Sequence, residues 1–127
     1  MTIQKRGSVK DRNLEGPILT QRIDKEVRML TSEKEWLSGK RDGITLVKYP
    51  HMRVVLVALR KGARMREHKL RGPISLFVVQ GKINIEAGST AYKVRKKELV
   101  TLQKAILHDV HADQDSVFLL TITSPTT

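Results

Sequence analysis

From Ile44 onward the chain is a succession of short apolar runs, each closed by a turn signal, with no helical period between them. The pattern predicts strands at 44–49, 53–60, 65–69, 74–80, 82–87, 90–94, 99–102, 107–112 and 116–123. Turns fall at Pro50-His51, Lys61-Gly62, Arg71-Gly72-Pro73, Gly81-Lys82 and Gly88-Ser89. Many short strands at close spacing predict an antiparallel sandwich or barrel. The preceding text differs. Between Asp24 and Leu37 the apolar residues Val27, Leu30 and Leu37, with Ile23 before them, fall on one helical face. Asp24 reads as its N-cap, and Ser32-x-x-Glu35 as a capping box opening a second short turn that holds Trp36. The helical segment should break near Thr31-Ser32 and end at Gly39. Residues 1–20 are polar and read as an arm with room for one short strand, able to lie across its own barrel or a partner's. The expected organisation is an amino-terminal arm and helical segment over 1–43 packed on a barrel over 44–127, together one structural domain.

Three strands are apolar on both faces: Val54-Val55-Leu56-Val57-Ala58-Leu59, Leu76-Phe77-Val78-Val79 and Val117-Phe118-Leu119-Leu120. A sheet with one wet face alternates, and these do not. Something must therefore cover the outer face of at least one sheet. The helical segment, Trp36 included, covers part of it, and a second subunit is expected to cover the rest, giving a homodimer.

Two stretches carry a more specific signal. In K-G-A-R-M-R-E-H-K-L-R-G-P-I-S-L-F-V-V-Q-G, Gly62 is followed after five residues by His68, and an apolar strand then ends at Gly81. In E-L-V-T-L-Q-K-A-I-L-H-D-V-H-A, from Glu98, a short strand, a turn and a second strand lead through His108. Together they resemble the two half-motifs of the cupin family, over roughly residues 44–122. The family's first motif runs glycine, five residues, His-x-His, three or four residues, glutamate, six residues, glycine. Gly62, His68 and Gly81 match it, while Leu70 and Ile74 replace the second histidine and the glutamate. The second motif runs glycine, five residues, Pro-x-Gly, two residues, histidine, three residues, asparagine. Only His108 matches, with Lys97, Gln103, Ala105 and Ala112 in the other places. The resemblance implies an all-β double-stranded β-helix, the cupin or jelly-roll barrel, with a short amino-terminal helical segment.

Cupins hold iron, manganese, nickel or zinc through three histidines and a glutamate. By position only His68 and His108 remain here, since Leu70 and Ile74 cannot bind a metal. Two donors fall short of the three protein ligands of a catalytic zinc site, or of a facial iron triad. Glu67 and Asp109 adjoin the two histidines and by alternation face away, as does His111. What remains is a metal-free pocket with apolar walls from Leu70, Ile74, Leu76 and Val110, two imidazoles near its mouth, and Gln80 at the strand end. Counting alternate positions back from His68 places Arg64 and Arg66 on the same face, where they could add charge for a carboxylate or phosphate. The plainer alternative makes both histidines ordinary barrel residues, bonded to each other, to water or to Gln80.

Composition narrows the classes. The chain of 127 residues has no cysteine, which excludes disulfides, thiolate nucleophiles and cysteine zinc sites. Its beginning lacks the apolar core of a signal peptide, and no apolar run approaches membrane-spanning length, so a cytoplasmic protein is expected and no membrane partner. The net charge of +11 lies mainly in the barrel, densest from Arg60 to Arg71 and again at Lys93, Arg95, Lys96 and Lys97. Such charge attracts anions, but no alternating aromatic and basic pattern accompanies it to stack bases. There is no glycine-rich phosphate loop, G-x-S-x-G elbow or H-E-x-x-H. The leading reading is a small cupin-domain protein that binds a small apolar or anionic molecule in its barrel without a full metal cage, with no catalytic residue assigned. The alternatives are a metal-dependent oxygenase or isomerase with a reduced two-histidine site, and a basic module for nucleic acid or another polyanion.

Overall fold

In the computed structural model, residues 12–67 and 70–125 are described. Two helices, α1 (Ile23–Leu30) and α2 (Lys34–Ser38), precede nine strands. These are β1 (Arg41–Lys48), β2 (Met52–Leu59), β3 (Arg64–Glu67), β4 (Ile74–Gln80), β5 (Lys82–Ala87), β6 (Thr90–Arg95), β7 (Leu99–Leu102), β8 (His108–Ala112) and β9 (Ser116–Thr123). They form a five-stranded sheet in the order β1-β2-β9-β4-β7 and a four-stranded sheet in the order β3-β8-β5-β6. Every pairing is antiparallel. This is the antiparallel two-sheet arrangement that the spacing of strands and turns predicts, and it agrees with the double-stranded β-helix that the resemblance implies. β1 begins earlier than expected, because Arg41, Asp42 and Gly43 pair with Leu59, Ala58 and Val57.

Two cores flank the larger sheet. Between the sheets, Val55, Val57 and Leu59 of β2 meet Leu76 and Val78 of β4, Ile83 and Ile85 of β5, Val110 of β8 and Phe118 and Leu120 of β9. On the other side, Leu56 and Ala58 of β2, Val117 of β9 and Ile44 and Leu46 of β1 pack under Val27, Leu30 and Trp36 of the helices. Successive residues of β2 and β9 thus enter different cores, which is why neither strand alternates. Arg60 fastens this outer layer. Its guanidinium stacks 3.9 Å from the centre of the Trp36 ring. It also donates to the Trp36 carbonyl at 2.9 Å and to Asp115 Oδ2 at 3.1 Å. The neighbouring Lys61 N–H reaches Asp115 Oδ1 at 2.8 Å, so helix, β2–β3 turn and β8–β9 turn meet on one side chain.

The helix ends differ from expectation. α1 starts after Arg22, which places Asp24 in the first turn rather than at the cap. The Ser32 hydroxyl donates back to the Met29 carbonyl at 2.9 Å, and Glu33 rather than Ser32 holds the cap position of α2, with no side-chain cap bond. Closing the last turn of α1 is the bond Ser32 makes instead. Gly39 ends α2 with extended backbone, not in the left-handed conformation common after helices.

Backbone conformation follows the half-motifs more closely than residue type does. Gly62 and Gly81 sit at φ 82° and 87°. Lys97 and Ala105, which occupy the second motif's glycine positions, also have left-handed backbone, at φ 67° and 64°. Lys97 takes the third place of the turn closed by Glu98 N–H to Arg95 O at 2.9 Å, and its own N–H bonds Val78 O at 2.7 Å. The Ala105 N–H bonds Leu70 O at 2.9 Å. These long-range bonds hold two non-glycine residues where glycine would be unstrained. Replacing Lys97 or Ala105 by glycine should therefore raise stability by about 0.5–1 kcal/mol, a gain in Tm of roughly 2–4 °C by calorimetry. Gly81→Ala should act oppositely, costing more than about 2 kcal/mol, because a Cβ there adds left-handed strain and a 2.5 Å approach to the Asp115 carbonyl.

Candidate functional site

His108 opens β8 and shares its inward face with Val110 and Ala112, all three buried. Opposite it across the sheet lies Ala87 of β5. The loop before β8 turns at Ala105, and this aims the Ile106 carbonyl at the ring: His108 Nδ1 lies 3.0 Å from that oxygen. A carbonyl only accepts, so Nδ1 carries a hydrogen, and in the neutral ring the lone pair sits on Nε2. Nε2 is buried and has no hydrogen-bond partner among the described residues. Buried polar atoms are ordinarily satisfied, so an orphaned imidazole lone pair inside a barrel marks a place where something can bind.

The predicted walls and the observed cavity lie side by side. Ile74, Leu76 and Val110 point inward as expected and are fully packed into the core, with Leu70 half-buried against it. Space opens one strand further on. A cavity of about 310 Å³ lies between the β6 and β7 edges, lined chiefly by Ile85, Ala87, Tyr92, Val100, Leu102 and Ile106. In register, Ile74 pairs with Leu102, Leu76 with Val100, and Val110 with Ile85. The cavity thus borders the expected residues and shares Ala87 and Ile106 with the surroundings of His108. Sequence spacing identifies the inward positions but not the seam where the two sheets part. His68 lies outside the described residues, and Gln80 is exposed at the end of β4.

Arg64 and Arg66 are on the opposite face from the one expected. Met65 between them is buried, and both arginines therefore project from the outer face of the smaller sheet. Arg64 lies 3.5 Å from Asp109 and 3.8 Å from Glu86, and Arg66 lies 3.9 Å from Asp109. On the same face His111 Nε2 sits 3.0 Å from Glu86 and from Asn84 Nδ2, so its outward orientation holds as predicted. Lys93 pairs with Asp113 at 3.0 Å. Several cations of the two basic segments thus meet carboxylates of the protein itself. The Lys93 hydrogen bond holds the Asp113 carboxyl below the usual aspartate value of 3.8, and the Lys61 N–H bond does the same for Asp115. A carboxyl lowered by folding stabilises the protein above its unfolded value and loses that contribution as pH falls through its folded one. Thermal stability should accordingly fall below about pH 4, and Asp115→Asn should flatten that acid limb in a pH series of melting curves.

The described barrel interior does not assemble the donors of a metal cage. His108 supplies one free nitrogen, while Leu70 and Ile74 occupy motif positions with carbon side chains. The one group of three or more mutually close metal-binding side chains among the described residues, Glu33, Glu35 and Asp42, lies elsewhere.

No known sequence family and no curated protein matches the chain at significance. Solved structures do match in shape. A conserved protein of unknown function from Streptococcus pyogenes superposes with a TM-score of 0.68 at 19% identity, covering 91% of this chain and 95% of that one. A cupin superfamily protein from Desulfitobacterium hafniense gives 0.65 at 12% identity over 68% of this chain and 79% of its own. Salicylate 1,2-dioxygenase from Pseudoaminobacter salicylatoxidans, solved with gentisate, gives 0.73 at 16% identity over 88% of this chain but only 35% of the enzyme. The chain has the cupin fold. Among the described residues no helix is long and apolar enough to cross a membrane.

Proposed function

We propose that this cupin domain binds a small, largely apolar molecule carrying a hydroxyl or N–H group, without a full metal cage. The observation that carries the reading is the buried Nε2 of His108, without a partner among the described residues and left as the acceptor of the neutral ring by the Ile106 carbonyl. The adjoining cavity supports it, with apolar walls, Gln103 as a polar group, and a volume at the small end of the usual range for ligand sites. A scaffold of this kind hosts many activities, so the chemistry of the cavity and not the fold carries the proposal. Phenol and benzyl alcohol should bind and shift the His108 imidazole resonances in NMR titrations. Toluene, matched in shape, should bind roughly fivefold more weakly for want of one hydrogen bond of about 1 kcal/mol. His108→Phe should erase that difference. Equal binding of all three probes to the parent protein would overturn the reading. A stoichiometric transition metal in purified protein, lost on His108→Phe, would transfer the assignment to a metal-dependent enzyme.

The uncovered half of the larger sheet supports self-association. Beyond the helices its outer face carries Ser75 and Phe77 of β4, Leu99 and Thr101 of β7, and Thr121 of β9, with Val79 and Leu119 packed at the margin of the helix-covered core. None is charged, in a chain of net charge +11. Leu99 is 60% exposed there. Two copies can meet on this face without bringing like charges together, and we propose a homodimer through it. Sedimentation should give twice the 14.4 kDa chain mass, and Leu99→Asp should return the protein to a monomer with its fold intact.

A further inference from the structure

Outside the barrel, the turn from α2 into β1 gathers three carboxylates. Glu33 precedes α2, Glu35 lies in its first turn, and Asp42 is the second residue of β1. One oxygen from each lies within 4.8 Å of the others. Asp42 is the telling member. It is 3% exposed, tucked on the helix-covered face of the sheet beside Ala58. Its Oδ1 accepts the Gly43 N–H at 2.8 Å, and its Oδ2 is buried with no hydrogen-bond partner. Among the described residues no lysine, arginine or histidine pairs with it or with Glu35. A buried carboxylate oxygen without a partner among the described residues, in a carboxyl group close to that of Glu35, calls for a positive charge beside it.

The backbone is shaped to bring these groups together. Gly39 passes so close to α2 that a Cβ there would lie 2.5 Å from the Glu35 carbonyl oxygen, and this tight return sets Asp42 beside Glu35. Because Ser32 bonds Met29 O, Glu35 is not engaged in the capping box that the sequence suggests. The donor set is all oxygen, which suits a hard cation and not zinc or copper. A cation with bonds of about 2.4 Å can touch oxygens up to twice that distance apart, and that span fits calcium, whereas the shorter bonds of magnesium require contraction.

We infer that Glu33, Glu35 and Asp42 form a calcium site that ties the helical segment to the first strand, independent of the barrel cavity. With three side-chain ligands and water completing the shell, its Kd belongs in the weak range, on the order of 10⁻⁴–10⁻³ M. Trp36, the only tryptophan, adjoins Glu35 and serves as the reporter. Terbium added to the full chain should give luminescence sensitised through Trp36 that saturates at one equivalent and is displaced by millimolar calcium. Glu35→Gln, at an exposed position, should weaken terbium at least tenfold, and Asp42→Asn should abolish the saturable signal. Calcium should raise the melting temperature of the parent protein and leave that of Asp42→Asn unmoved. Emission that does not saturate, or that is the same in the parent and both variants, would overturn the assignment. So would a calcium-induced melting shift that survives Asp42→Asn.

Discussion

A strand with apolar side chains on both faces cannot belong to a two-layer protein, and β2 and β9 impose that constraint here. Leu56 and Val57, adjacent in sequence, are both buried, one beneath the helices and the other between the sheets. Burying such a side chain contributes about 1.5–3 kcal/mol, so leaving either face open would forfeit much of the margin by which a small domain folds. The amino-terminal helices are therefore a third layer and not an appendage. Arg60 connects that layer to the barrel through Trp36 and Asp115, and the acidic turn at Asp42 lies at the same junction.

Much of this architecture was legible in the chain. Strand positions follow from short apolar runs between turn residues, and the unalternating strands announce a covered face. What the sequence did not disclose depended on competing local bonds or on how the sheets meet. Ser32 and Glu35 have capping-box spacing, yet the serine hydroxyl finds the Met29 carbonyl first. Counting back from His68 puts Arg64 and Arg66 on its face. Met65, the one apolar residue in R-M-R-E, carried the opposite signal, and it is the side chain that faces inward. The cavity is lined by strands of both sheets, Tyr92 on β6 and Val100 and Leu102 on β7, and no spacing within one strand can reveal it. His108 was found because its motif position coincides with an inward strand position, whereas its free Nε2 depends on the loop at Ala105.

At the positions that resemble the half-motifs, backbone geometry matches better than residue type does. The backbone at Lys97 and Ala105 remains left-handed without glycine, and long-range hydrogen bonds to Val78 and Leu70 keep it there. The loop shape in turn presents the Ile106 carbonyl to His108, so the ring keeps a defined tautomer beside the carbon side chains of Leu70 and Ile74. A barrel can thus hold an oriented imidazole whatever donors stand around it, because orientation is a property of the loops and coordination one of the side chains.

The layering also bears on dissection of the chain. A fragment starting at Ile44 would look complete by its barrel pattern, yet it would lack three residues of β1 pairing and the whole roof over Leu56, Ala58 and Val117. Such a fragment would bare a broad greasy surface to water and clump instead of remaining dispersed. The seam between helix and strand is a boundary in the text of the sequence, not in the folded body.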